Sequence, residues 1–92
     1  MSYLRKKSQI VNGYFEDILP YIEYEKSSEN TLIYTCKTKV GVINAVNMDK
    51  ISKYISINIY DDDKYMIDVS DSSISDIYHG FTSLHNTLLK SA

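Results

Sequence analysis

The stretch Tyr54–Ser70, YISINIYDDDKYMIDVS, decides the fold. Ile55, Ile57 and Ile59 alternate with Tyr54, Ser56, Asn58 and Tyr60, which assigns the two sets to opposite faces of a strand. Asp61, Asp62 and Asp63 interrupt the alternation. It resumes with Tyr65, Ile67 and Val69 facing in and Lys64, Met66 and Asp68 facing out. Strand, tight acidic turn and strand read as a β-hairpin with one apolar face. An isolated hairpin is marginal in water, so that face needs a cover.

The cover is legible on either side. Toward the C-terminus, Ile74, Ile77, Tyr78, Phe81, Leu84, Leu88 and Leu89 hold helical spacing. Ser73 with Asp76 three residues later resembles a capping box with Asp in the Glu position. Asp71 and Asp76 suit the positive end of the helix dipole, and Lys90 the negative end. Gly80 is a weak point inside this helix. Toward the N-terminus, Leu4, Val11, Tyr14, Phe15, Ile18, Leu19 and Ile22 carry a second helical stripe, with Ser2 as its expected cap. Gly13 costs this helix ~1 kcal/mol against alanine. Pro20 disfavours helical backbone at Leu19, so the helix is expected to end near Ile18.

Between these anchors the period is two. Tyr21–Glu25 and Thr31–Thr38 alternate around the polar turn Lys26–Asn30, a first hairpin with Leu32, Tyr34 and Cys36 on one face. Val40–Val46 is rich in β-branched residues and apolar on both sides, which predicts a central strand with a bend at Gly41. Asn47–Lys50 reads as a loop or one turn of helix. The order is then α-β-β-β-β-β-α. Short connections make neighbours antiparallel. The expected fold is a two-layer α+β sandwich, an antiparallel meander of about five strands flanked by N- and C-terminal helices. With 92 residues the chain makes a single domain, 1–92.

Composition narrows the function. Apolar residues are 43% and net charge is −2, the balance of a globular chain rather than a disordered or histone-like one. No apolar run is long enough to span a membrane. No signal-peptide pattern follows the basic start, so a cytoplasmic location is expected. Ile, Tyr, Lys and Asn supply 36 of 92 residues, against a single Arg, which fits an AT-rich genome. Tyrosine excess also suits binding surfaces, because the ring covers apolar area and keeps a polar tip.

Catalytic chemistry finds little to stand on. Cys36 is the only cysteine and reads as a small buried strand residue. His79 and His85, six apart, do not share a helical face. The acidic run fails the EF-hand pattern, with Met66 at the glycine position and Ser72 at the closing one. Gly13, Gly41 and Gly80 are scattered, so no phosphate loop forms. The pairs Glu16/Asp17 and Glu23/Glu25 read as solvated carboxylates. No catalytic residue, metal or cofactor is expected.

Binding is the remaining class. If both helices cover one sheet face, the other carries Tyr54, Tyr60 and Met66, with Asp61, Asp62 and Asp63 at its end. This predicts a partly apolar surface that docks on a larger intracellular protein or complex, or on a second copy in a homodimer. Asp61–Asp76 carries six carboxylates against Lys64, a local charge of −5 that suits a basic partner. Size and composition further suggest a phage or mobile-element inhibitor of host machinery. The alternative is a nucleic-acid-binding module using Lys37, Lys39, Lys50 and Lys53 beside the sheet tyrosines. Clustered positive charge dominates phosphate affinity, and a net acidic chain makes that the weaker reading.

Overall fold

The computed structural model describes residues 3–92. Three helices and four strands follow in the order α1 (Tyr3–Asp17), β1 (Ile22–Lys26), β2 (Ile33–Thr38), α2 (Ala45–Ser52), β3 (Ser56–Asp61), β4 (Lys64–Asp68) and α3 (Ile74–Ser91). The α+β class, both hairpins and both terminal helices are as the sequence predicts. Ser73 caps α3 by accepting the Asp76 N–H at 3.0 Å. The expected cap Ser2 lies outside the described residues.

The predicted strand at Val40–Val46 is not one. The chain leaves the sheet at Thr38, whose hydroxyl donates to the Gly41 carbonyl. Gly41 has φ +103°, a conformation that side chains disfavour and that turns the chain out of the strand direction. Asn44 then caps α2, its side-chain oxygen accepting the Asn47 N–H at 2.9 Å. Only Ile43 of this segment is buried, while Val42 and Val46 are more than half exposed. The apolar pattern here is that of a loop pinned by one residue.

The sheet is not a meander. Its order is β1-β2-β4-β3, with every neighbouring pair antiparallel. β2 and β3 therefore run parallel with β4 between them, joined by the crossover through α2. The short Asp62–Asp63 turn keeps β3 beside β4. The longer link over residues 39–55 is free to cross behind a strand.

The register sorts the side chains. On the covered face, Tyr24, Cys36, Tyr65 and Ile59 form one row, and Lys26, Tyr34, Ile67 and Ile57 the next. Phe15 of α1 stacks on Tyr24 at 4.4 Å between centroids, and meets Phe81 of α3 edge-on at 4.9 Å. Val11, Ile18, Ile22, Leu32, Ile43, Ile51, Ile55, Val69, Ile77, Leu84 and Leu88 complete the core. Ile59, expected inside, is 61% exposed. A register irregularity between Ile59 and Asp61 makes Tyr60 an extra residue at this outer strand's end, and the helices do not reach that corner.

Two glycines test the packing of the helices. A Cβ at Gly80 would lie 2.8 Å from Ile55 Cγ2 and 2.9 Å from Cγ1, so α3 crosses this point closer than alanine allows. At Gly13 nothing lies within 4 Å. Gly13→Ala is expected to gain ~0.8–1 kcal/mol from helix propensity. Gly80→Ala is expected to lose ~1–2 kcal/mol, because overpacking outweighs the same gain. Urea midpoints that move in one direction for both variants contradict this placement of α3.

Candidate functional site

The second sheet face is covered by none of the three helices. Its rows follow from the same pairings. Glu23, Lys37, Lys64 and Asp61 form the first, Glu25, Thr35, Met66 and Asn58 the second, and Ile33, Asp68 and Ser56 the third. Two lysines thus stand side by side at the centre, with a carboxylate on either flank. Glu23, Glu25, Thr35, Lys37, Tyr60 and Lys64 line a shallow groove across this end of the face.

The predicted contact residues separate on the structure. Met66 stands mid-face and is 36% exposed, and Tyr60 stands at the bulge with 62% exposed. Asp61 lies opposite Lys64, while Asp62 and Asp63 form the turn. Tyr54 is elsewhere. It precedes β3, its ring lies 5.2 Å from that of His79 on α3, and its carbonyl accepts the Ser72 hydroxyl at 3.1 Å. The expected row Tyr54–Tyr60 does not exist, because β3 begins only at Ser56. Nor is the face a contiguous apolar surface. Met66 has Thr35 and Asn58 as cross-strand neighbours, and Ile33 has Asp68.

The acidic stretch is divided as well. Asp61–Asp63 lie at one end of β4, and Asp68, Asp71 and Asp76 at or beyond the other, a strand length of roughly 15 Å away. Asp68 is held locally, accepting the Ser70 N–H at 2.9 Å and the Ser70 hydroxyl at 2.6 Å. The four lysines of the nucleic-acid reading are scattered. Lys37 is on the open face, Lys39 donates to the Leu19 carbonyl at 3.2 Å, Lys50 is in α2, and Lys53 is its C-cap. Sequence reasoning missed the adjacency of Lys37 and Lys64. It exists only because β4 pairs with β2, and no local pattern signals that pairing.

The chemistry available is limited. Burial pushes the Cys36 thiol up to about 12, so at neutral pH it is protonated and inaccessible. Among the described residues no group of three or more His, Cys, Asp or Glu side chains is placed to hold a metal. No described helix is long and apolar enough to cross a membrane. The raised thiol has a consequence for stability. A group whose pKa rises on folding favours the protonated fold, so its contribution is complete below the ordinary 9.0 and is lost as pH climbs toward 12. Burial also raises Tyr34 and Tyr65 above the ordinary 10.0. Urea midpoints are expected to fall as pH rises above 9, and Cys36→Ala to flatten the first part of that fall. A midpoint constant between pH 8 and 11 contradicts the burial of these groups.

No family model matches the sequence, and no curated protein or solved structure is similar to it.

Proposed function

We propose that the protein is a small non-enzymatic interaction module that docks its open sheet face on a larger protein. The observation that carries this is the arrangement of that face, where Lys37, Lys64, Thr35 and Met66 stand on the two inner strands with carboxylates around them and Tyr60 at the outer edge. Tyrosine and methionine are enriched in protein interfaces, and charge at the rim selects the partner. The lysine pair suits a carboxylate on the partner. Glu23, Glu25 and Asp61 suit basic groups around it.

The dimensions set the strength. Four strands ~4.8 Å apart and about five residues long make a face of roughly 19 by 17 Å. That is well below the ~800 Å² per partner of a standard interface. Docking by this face alone is a transient contact. Occupying a host surface is also how a small inhibitor acts. That extension of the proposal rests on size and composition.

Electrostatics argues against nucleic acid. The rows carry Glu23, Glu25, Asp61 and Asp68 against Lys37 and Lys64, four acids to two bases and a net −2. Phosphate affinity needs the opposite balance.

The test is affinity capture from host lysate after nuclease treatment, with three baits. After crosslinking, which traps a transient contact, wild type and Lys6→Glu, on the exposed side of α1, are expected to retain the same protein in equal amounts. Tyr60→Ser combined with Met66→Glu is expected to lose it at least ~10-fold, the ~1.4 kcal/mol of one good contact. Equal recovery on the double variant removes the face from the interface. Recovery that vanishes with nuclease transfers the function to nucleic acid.

A further inference from the structure

Lys7 is a buried cation on the covered side of the molecule. It is 4% exposed, in the second turn of α1. Its ammonium makes one hydrogen bond, 3.1 Å to the Ser70 carbonyl, and lies 4.7 Å from the centre of the Tyr3 ring. Among the described residues no carboxylate stands within ion-pair distance of it. An ammonium carries three donors, so donor capacity and charge are both left over. Burying an uncompensated charge is costly, and such groups are normally paired.

Lys7 and its acceptor Ser70 both line a pocket of about 350 Å³ that opens to solvent. Leu4, Leu32, Ile33 and Tyr3 supply apolar walls, and Asn30 and Thr31 a polar edge. One cation among the lining residues of a largely apolar pocket is the arrangement that binds a monoanion carried on an apolar group. We propose that this pocket binds a small carboxylate with an apolar substituent, its oxygens on Lys7 Nζ and its substituent against Leu4 and Leu32. A single positive charge matches a carboxylate better than a phosphate dianion. The volume lies near the lower end of the ~300–1,000 Å³ of small-molecule sites, which limits the ligand to a short chain. This site shares only Ile33 with the rows of the open sheet face and lies at the opposite end of the strands from Lys37 and Lys64.

The carboxylate could end a short acyl chain or a peptide, and the test separates these. Amide spectra of the protein are titrated with sodium octanoate, with N-acetyl-leucine and with inorganic phosphate. Saturable shifts at Leu4, Lys7, Asn30–Leu32 and Ser70 are expected with one of the two carboxylates, at ~1 mM or below for so small a ligand. The tighter of the two identifies the source. Lys7→Met is expected to weaken binding at least ~10-fold and Lys7→Arg to keep it. Thr31→Glu, which leaves Lys7 in place and sets a carboxylate at the pocket edge, is expected to weaken it as well, and carries the test if Lys7→Met does not fold. No saturable shift with either carboxylate, equal binding by both weakening variants, or tighter binding of phosphate than of either carboxylate overturns the proposal.

Discussion

Phe15→Ala is expected to lower the melting temperature by more than ~10 °C. Phe15 is fully buried and joins both layers, stacked on Tyr24 at 4.4 Å, tilted against Tyr34 at 5.1 Å and edge-on to Phe81 at 4.9 Å. Truncating a buried phenylalanine costs ~3–5 kcal/mol, from lost transfer energy and the cavity left behind. Each kcal/mol moves the midpoint of a domain this size by ~4–8 °C. Total stability for such a chain is ~5–14 kcal/mol, so this change takes a large share of it. Thermal unfolding followed by circular dichroism measures the shift. A change under ~3 °C contradicts a core built where α1 and α3 meet one sheet face.

The second large effect is expected from Tyr65→Phe, at ~1–3 kcal/mol. The Tyr65 hydroxyl accepts the Ile43 N–H at 2.7 Å in a buried setting. Removing it leaves a buried amide without a partner, whose desolvation is not recovered. The bond also fixes the loop that replaces the predicted third strand, so the chain entering α2 loses one tie to the sheet while Ile51 stays in the core. Tyr34→Phe is the control. The Tyr34 hydroxyl is buried with no hydrogen-bond partner among the described residues. Ser8 lies near it but outside bonding geometry, and accepts Lys26 Nζ at 2.8 Å instead. Removing this hydroxyl is expected to be neutral within ~0.5 kcal/mol, or stabilising. Equal losses in urea midpoint for the two variants contradict the difference between these sites.

Local signals carried most of the fold. Period-two alternation with Asp61–Asp63 between its halves located the second hairpin, and Ser73 with Asp76 located the start of α3. The signals failed where tertiary context decided. At Val40–Val46, β-branched composition outweighed Gly41 and Asn44 in the reading, yet a positive φ and an N-cap are what set the backbone there. Ile59 keeps its alternation but stands at an outer strand beside a bulge, where no helix covers it. The placement of β4 between β2 and β3 has no local signature, because it depends on which hairpin edge the crossover reaches. Half of the candidate face was lost with it. Met66 and Tyr60 were legible as outward residues, whereas the Lys37–Lys64 pair exists only in the assembled sheet.

Methionine methyl spectra test the central claim most directly. Met66 reports from the open face and Met48 from half-buried α2, within one sample. In the complex with the captured protein, the Met66 methyl signal is expected to shift or broaden while that of Met48 stays in place. A perturbed Met48 beside an unchanged Met66 places the partner on the helices and contradicts docking by the sheet.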